Sequence, residues 1–186
     1  MKLIVGLGNP GKEYGHTRHN AGWDAVGIAA ADMEATFTTK KEWRADVAET
    51  RVEDGKVLLV RPLTFMNLSG EAVSAIQQFF KIPLENILIV QDEMDFPPGR
   101  VAFSVGGGDA GHNGIASIRE SLGSDAFVRL RIGIGRPVSP IKPEDYVLQR
   151  PTTDQKPAIE EAAQALQGWI TEGTKKAMNL WNKHGS

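Results

Sequence analysis

The spacing of apolar residues along the chain predicts an alternation of strands and helices. Short apolar runs bounded by Gly, Pro or Asp are typical of strands, whereas apolar residues three or four positions apart are typical of one buried helix face. The strands are predicted at Lys2–Gly6, Ala45–Val52, Lys56–Arg61, Asn86–Gln91, Arg100–Val105 and Phe127–Ile134. The helices are predicted near Ala21–Glu34, Ser69–Lys81, Ile115–Leu122 and Pro157–Trp181.

This order of elements favours an α/β fold with a single domain over residues 1–186. The run NILIVQ at Asn86–Gln91 is apolar on both faces, as the strands of parallel sheets usually are. The strands Ala45–Val52 and Lys56–Arg61 are instead joined by Glu53–Gly55 (EDG), a sequence typical of a hairpin turn. Neither a repeat nor a linker divides the chain. We therefore expect a mixed, mainly parallel sheet flanked by helices.

Composition narrows the class of protein without identifying a partner. The 186 residues are 41% hydrophobic and 24% charged, which is typical of a globular protein. No apolar run reaches the roughly 20 residues of a transmembrane helix, and the opening MKLIVGLG lacks the features of a signal peptide, so a cytoplasmic protein is expected. The absence of cysteine excludes disulfides, thiolate metal sites and a cysteine nucleophile. A net charge of −2 argues against binding nucleic acid through overall positive charge but allows a local basic patch.

The first strand leads into Gly6–Gly11 (GLGNPG), which matches the G-x-G-x-x-G pattern of dinucleotide-binding folds. That motif requires a helix to begin at the glycines, so that pyrophosphate binds the helix N-terminus. Here the polar stretch Lys12–His19 follows, and the first predicted helix begins only after Asn20, its expected N-cap. The sequence therefore argues against a nucleotide-dependent dehydrogenase, and the loop is expected to place Asn9 above the first strand.

Two residues next to predicted strand ends are candidates for acid–base chemistry. His19 follows the loop after the first strand, and Asp92 follows Asn86–Gln91, so both are expected at the carboxyl edge of the sheet, where α/β folds bind ligands. A hydrogen bond between His19 and Asp92 would fix the imidazole tautomer and leave the other ring nitrogen as a general base. Ser69 and Ser104 do not lie in a G-x-S-x-G motif, so water is the simpler nucleophile.

The other histidines give weaker signals. His16 lies in a loop and is expected to face solvent, and His184 is expected to be uninvolved. His112 and the histidines before it lack the H-E-x-x-H or similar spacing of a metal site. We therefore expect neither a metal nor another cofactor.

Three asparagines fall in predicted loops: Asn9, Asn67 and Asn113. Each of them alone is more often a turn former or a helix cap. Together they suit recognition of a peptide backbone or stabilisation of an oxyanion in acyl transfer. Apolar walls of the same groove are expected from three neighbouring side chains: Tyr14, Phe65 and Met66.

Six long and ordered stretches of the sequence form a further pattern: VGLGNPGKEYGHTRHNAGW, RPLTFMNLSG, DEMDFPPG, GGGDAGHNG, RLRIGIGRP and DYVL. A chain that carries them in this order resembles the bacterial peptidyl-tRNA hydrolase family. The resemblance implies a phosphorylase/hydrolase-like α/β fold and a monomeric enzyme without a metal or an obligate protein partner. Its reaction would be hydrolysis of the ester between a peptide and the terminal ribose of tRNA, which recycles tRNA from stalled translation.

The resemblance also implies roles for the candidate residues. His19 would be the general base that activates water, Asp92 would orient it, and Asn9 would contact the substrate near the scissile ester. The residues implied in binding the peptide and the tRNA 3′ end and acceptor stem are Tyr14, Phe65, Met66, Asn67, His112 and Asn113. The segment Gly106–Asn113 would form part of the wall, and a helical region at about 140–186 would be a partly mobile lid.

The chain departs from the family pattern where tRNA phosphate is bound. Many members carry basic residues on the strand after PPG, at the positions that are Ala102 and Ser104 here, and histidine is common where this chain has Gln91. Arg100 and Arg131 are the candidate phosphate contacts that remain. The alternative to an enzyme is a non-catalytic module that binds tRNA ends or peptides, which would bind an N-blocked aminoacyl-tRNA without turnover.

Overall fold

A computed structural model describes residues 1–182, and His184 lies outside this described part of the chain. The strands are β1 (Lys2–Gly6), β2 (Thr38–Lys40), β3 (Ala45–Val52), β4 (Gly55–Pro62), β5 (Ile87–Glu93), β6 (Val101–Val105) and β7 (Val128–Gly133). The helices are α1 (Ala21–Asp32), α2 (Ser69–Phe80), α3 (Asn113–Leu122), α4 (Pro143–Tyr146) and α5 (Lys156–Trp181).

The strands form one mixed sheet in the order β2-β3-β4-β1-β5-β7-β6. The central strands β4, β1, β5 and β7 pair in parallel. The outer strands β2, β3 and β6 pair antiparallel, so they extend the parallel centre at both edges. The prediction of one α/β domain with a mixed sheet is confirmed, but the sheet is not mainly parallel, because three of its six strand pairs are parallel and three are antiparallel. The parallel part is the centre that both helical layers cover.

Alternate residues of the central strands pack against different helical layers. Ile4 of β1 faces α1 and α5, whereas Leu3 and Val5 face α2 and α3. These three side chains are fully buried. Each buried side chain of this size contributes about 1.5–3 kcal/mol through removal of apolar surface from water. The sheet is therefore the middle layer between two helix pairs.

The bounds of the elements differ from the predictions at short or capped segments. β2 and α4 were not predicted from apolar spacing, because they are only three and four residues long and contain no buried residue. α3 begins at Asn113 rather than Ile115, because the side chain of His112 caps it. α5 covers the predicted range, but Gly173 has φ 79° and ψ 173°, so the helix is interrupted there.

The parallel centre gives its strands a common carboxyl edge. The loops that follow Gly6 of β1, Pro62 of β4 and Glu93 of β5 all leave the sheet there. Loops at this edge are where α/β sheets bind ligands. None of the helices within residues 1–182 combines the length and apolar composition that crossing a membrane requires.

Candidate active site

α1 approaches β1 closely enough to bring the start of the helix over the carboxyl edge of the sheet. A Cβ on Gly22 would lie 2.1 Å from the carbonyl oxygen of Val90, and a Cβ on Gly6 would lie 2.4 Å from that of Gly22. Glycine is required on both sides of this contact, since any larger residue would collide with backbone. The glycines thus serve helix–strand packing, and they bring His19, in the 3₁₀ turn Arg18–Asn20 before α1, next to β5.

Asp92 near the end of β5 accepts hydrogen bonds from two histidines. Nδ1 of His19 lies 2.9 and 3.0 Å from the two carboxylate oxygens, and Nε2 of His112 lies 2.8 Å from Oδ1. Asp92 is only 2% exposed and His19 only 8%. The structure thus brings together the two residues singled out for acid–base chemistry and adds His112 to them.

The backbone of α3 defines which nitrogen of His112 carries the proton. Nδ1 of His112 accepts from the backbone N–H groups of Gly114 and Ile115, at 3.1 and 3.4 Å. Because Nδ1 is an acceptor, Nε2 carries the proton and donates to Asp92. His19 donates to the same carboxylate from Nδ1, so its Nε2 lone pair is left without a hydrogen-bond partner among residues 1–182.

The charge of Asp92 controls the basicity of His19. Burial lowers the pKa of the His19 imidazole, but the negative charge of Asp92 and its hydrogen bond raise it by more, so the net shift is upward from 6.5. Burial also raises the pKa of the Asp92 carboxyl, yet the charges and hydrogen bonds of the two histidines lower it by more. Asp92 therefore stays ionised while His19 becomes a stronger base, as general-base catalysis requires.

His19, Asp92 and His112 also form the one group in the described part of the chain whose ligand atoms are close enough to hold a metal ion. A metal needs imidazole lone pairs, but the Nδ1 lone pair of His112 is used by the N-terminus of α3. The nitrogens that face Asp92 lie at hydrogen-bond distance from its oxygens. This geometry favours a hydrogen-bonded triad over a metal centre.

Asn9 is held so that one amide donor remains available. Its backbone N–H donates to Oδ1 of Asn20 at 2.9 Å, and its carbonyl oxygen accepts from Nδ2 of Asn20 at 3.0 Å. Its own Oδ1 accepts from the backbone N–H of Met66 at 2.8 Å. The Nδ2 group of this buried side chain is therefore its donor without a partner within residues 1–182, which suits it to bind a substrate oxygen.

The predicted binding residues lie around this centre at different depths. Phe65 is 56% exposed and contacts Tyr14 edge to face, with ring centroids 6.4 Å apart. Asn67 and Asn113 are also exposed. Met66 is buried in the core between the sheet and the helices α2 and α3. Its backbone, which holds Asn9, rather than its side chain contributes to the site.

A cavity of about 220 Å³ opens beside His19 and Asp92. One wall is the segment Asp109–Asn113, which leads into the first residue of α3. Further lining comes from α4 and the residue after it, through Pro143, Glu144 and Val147. Residues from both segments, the predicted wall at Gly106–Asn113 and the predicted lid from about residue 140, thus line the cavity.

Arg100 and Arg131 both stack on the ring of Phe96. Their guanidinium carbons lie 4.1 and 4.3 Å from the ring centroid. The Nε of each is buried without a hydrogen-bond partner. The carboxylate of Glu93 lies 3.6 Å from Nη1 of Arg131. Two guanidinium groups beside one carboxylate leave a local excess of positive charge, which suits an anion such as phosphate.

Arg129 is occupied inside the protein instead. Its Nε donates to Oε1 of Gln91 at 2.8 Å, and its Nη1 donates to the carbonyl oxygen of Gly108 at 2.7 Å. Burial lowers the pKa of this guanidinium, and nearby Arg131 lowers it further. Gln91 thus provides a neutral partner for Arg129, whose other hydrogen bond goes to Gly108 in the predicted wall segment Gly106–Asn113.

Sequence reasoning missed the roles of two residues that flank His19. Asn20 directly precedes α1 as predicted, but its side chain makes no capping hydrogen bond and instead spans the backbone of Asn9. Arg18 is buried and donates to backbone carbonyl oxygens more than 120 residues away in the sequence. The local sequence carries no signal for either contact, because both depend on how distant segments meet.

An α/β sheet that presents a carboxylate-held histidine and an amide donor without a described partner at its carboxyl edge is an arrangement suited to a hydrolase. The sequence matches the family described as Peptidyl-tRNA hydrolase over residues 3–186. The chain belongs to the peptidyl-tRNA hydrolase family.

Individual relatives agree over most of their length. The peptidyl-tRNA hydrolase of Syntrophomonas wolfei is 47% identical over 98% of this chain and 100% of that protein. The one from Neisseria meningitidis serogroup C is 47% identical over 90% of this chain and 88% of its own length. The crystal structure of peptidyl-tRNA hydrolase from Acinetobacter baumannii matches with a TM-score of 0.89 and 36% identity, covering 96% of this chain and 93% of that chain.

Proposed function

We propose that this chain hydrolyses the ester between the peptide and the terminal ribose of peptidyl-tRNA, releasing free tRNA and peptide. The observation that carries the proposal is the buried pair of His19 and Asp92, in which Nε2 of the histidine is left to act on a ligand in the adjoining cavity. Family membership supports the choice of substrate.

The reaction begins with a proton transfer from water to His19. Nε2 takes the proton while the water oxygen attacks the ester carbonyl carbon, and the carbonyl oxygen becomes an oxyanion. Asp92 stabilises the imidazolium that forms, because its charge and its hydrogen bond to Nδ1 favour the protonated ring. The tetrahedral intermediate then breaks its bond to the ribose oxygen, which receives the proton from Nε2.

Asn9 is the donor assigned to the substrate oxygen. Its Oδ1 is occupied by the backbone N–H of Met66, so the amide presents Nδ2 and not an oxygen to the site. A fixed neutral donor stabilises an oxyanion without reorganisation during the reaction. The exposed Asn67 and Asn113 supply further polar groups around the groove, and Tyr14 with Phe65 supplies its apolar rim.

The tRNA is bound through its 3′ end and acceptor stem. Arg100 and Arg131 are the proposed contacts to backbone phosphate, supported by their shared stack on Phe96 and by the buried Nε groups that lack a partner. The helical region from about residue 140 acts as a partly mobile lid over the cavity. The enzyme is proposed to act in the cytoplasm as a monomer.

A turnover assay on an N-blocked aminoacyl-tRNA tests this function. The His19→Ala variant should lose about 10²- to 10⁴-fold in kcat, the range that general-base catalysis contributes, while its melting temperature stays close to that of the wild type. His16→Ala is the matched control, because the side chain of His16 is 84% exposed and, among residues 1–182, forms an ion pair only with Asp24.

Two results would contradict the proposal in different ways. Normal turnover by His19→Ala would remove the assigned mechanism. Binding of the N-blocked aminoacyl-tRNA by the wild type without turnover would indicate the alternative function, a module that holds tRNA ends or peptides.

A further inference from the structure

Arg18 is a buried arginine without a carboxylate partner among the described residues. It is 6% exposed, and its Nε is buried without a hydrogen-bond partner. Its Nη1 lies 3.2, 3.4 and 3.3 Å from three backbone carbonyl oxygens, those of Tyr146, Gln149 and Arg150. Burial of a charge is unfavourable unless hydrogen bonds compensate it. Here all of the compensation comes from one short segment of the chain.

The same segment is attached to the turn before α1 by further contacts. The backbone N–H of Arg18 donates to the carbonyl oxygen of Gln149 at 3.0 Å, and that of His19 donates to the carbonyl oxygen of Val147 at 2.8 Å. The guanidinium of Arg18 also stacks on the ring of Tyr146 at 3.9 Å. Hydrogen bonds and stacking together fix this segment directly beside the proposed general base.

This segment, which we define as residues 143–150, forms a wall of the cavity beside His19. Pro143, Glu144 and Val147 line that cavity together with the ring of His19. The backbone of His19 is bonded to this wall, whereas its imidazole is bonded to Asp92 on β5. The position of the imidazole therefore depends on two attachments, and Arg18 stabilises one of them.

We propose that Arg18 is a positioning residue that holds segment 143–150 closed against the site and thereby fixes the backbone of His19. The inference rests on the proposed hydrolysis for its effect on rate, but the closed position of the segment is measurable without turnover. Arg18 acts through the wall and through His19, and it does not contact the ester. Displacement of a catalytic group by about 1 Å costs on the order of 10²-fold in rate.

The experiment compares Arg18→Met, which removes the guanidinium and keeps the length of the side chain, with Arg18→Lys, which keeps the charge. Arg150→Met is the matched control, because the exposed Arg150 lies in the same segment and its guanidinium donates, within the described part of the chain, only to the carbonyl oxygen of Gly15, at 3.3 Å. Each variant is assayed for kcat and KM on an N-blocked aminoacyl-tRNA over a range of pH. Amide hydrogen exchange is measured on the same samples without substrate.

Arg18→Met should lower kcat by about 10- to 100-fold, with a smaller change in KM. Amides of residues 143–150 and of His19 should exchange faster, while those of β1 and β5 keep their protection. The pH midpoint of kcat should stay unchanged, because the bond between His19 and Asp92 remains. Arg18→Lys should recover part of kcat and of the protection, and Arg150→Met should match the wild type.

Wild-type kcat in Arg18→Met, or a loss of kcat without faster exchange in segment 143–150, would overturn the inference. Equal loss of protection in β1 and β5 would show a general structural role and would also overturn it. If Arg18→Met does not fold, Arg18→Lys decides, since the inference requires a local rise in exchange there too. If the wild type itself shows no turnover, the proposed function fails, and the exchange data alone still test the closed position.

Discussion

The triad of His19, Asp92 and His112 and the stack of Arg100, Phe96 and Arg131 occupy the same end of the sheet, but they balance charge differently. In the triad, one buried carboxylate accepts hydrogen bonds from two oriented rings. In the stack, two guanidinium groups share an aromatic ring, and each retains a buried Nε without a partner.

This difference suggests that the triad serves the chemical step and the stack serves substrate binding. The protein itself completes the triad, so its geometry is fixed before substrate arrives. The stack carries two guanidinium groups and one nearby carboxylate, and in the proposed function its excess positive charge is balanced by a phosphate of the substrate. Changes in the triad should therefore alter the chemical step, whereas changes in the stack should alter affinity and its dependence on salt.

The largest effect that tests this separation is expected from Asn9→Asp, next to the triad. Aspartate keeps the oxygen that accepts from the backbone N–H of Met66, but it replaces the Nδ2 donor with a negative charge. Because a lost oxyanion donor costs about 10²- to 10³-fold in kcat, turnover of N-blocked aminoacyl-tRNA should fall by at least that factor. Asn86→Asp, which adds the same charge before the amino end of β5, is the control and should turn over normally.

An intermediate effect is expected from Asp92→Ala, which removes the orienting carboxylate and leaves the base. We expect kcat at high pH to fall by on the order of 10²-fold, because a catalytic group displaced by about 1 Å loses roughly that factor. The loss should be smaller than in His19→Ala, because the imidazole remains. Asp95→Ala in the following loop is the control, because Asp95 is exposed and its carboxylate pairs with Arg136 alone among the residues that the structure describes.

Asp92→Ala should also shift the pH midpoint of kcat/KM in a direction that the structure defines. A general base must be neutral, so kcat/KM of the wild type should rise with pH through the raised pKa of His19, with a midpoint above 6.5. Without Asp92, burial still lowers the pKa of the ring and nothing opposes it, so the midpoint should move to lower pH. A midpoint that stays in place would show that His19 is not the group that titrates.

The smallest effect is expected from the stack. Arg100→Gln and Arg131→Gln should each raise KM several-fold at about 0.1 M salt and leave kcat unchanged. Each should also reduce the slope of log KM against log salt by about one, because one phosphate contact is lost. The control is Arg51→Gln on β3, opposite Lys56 at the other end of the sheet. Unchanged salt slopes in both variants would contradict phosphate binding by the stack.

The fold was largely predictable because its elements carry local signals. The buried strand at Ile87–Glu93 and the hairpin of β3 and β4 follow from apolar runs and turn residues. β2 was not predictable, since three residues with no buried side chain leave no periodic signal. The start of α3 was placed two residues late because its cap is a histidine, a residue that capping preferences do not favour.

The candidate site was predictable in position but not in connectivity. His19, Asp92 and Asn9 could be assigned to the edge of the sheet, because each follows a predicted strand or the loop after one, although β5 itself extends past Asp92 to Glu93. The second histidine on Asp92 could not be assigned, since His112 reaches it only through the start of α3. Arg18 lies in the polar stretch Lys12–His19, which gives no sign of its burial, because that burial depends on a segment more than 120 residues further along the chain.

The sequence by itself determined the alternation of strands and helices, the family pattern and the presence of a histidine, a carboxylate and an amide at one edge of the sheet. Only the tertiary structure decided which nitrogen of each ring faces Asp92, which atom of Asn9 stays without a partner, and what closes the cavity. The physical reason is that hydrogen bonds require a few tenths of an ångström of precision between groups as far apart in sequence as His19 and Asp92. Such precision is set by the packing of α1 on β1 and of segment 143–150 on Arg18, and no local pattern encodes it.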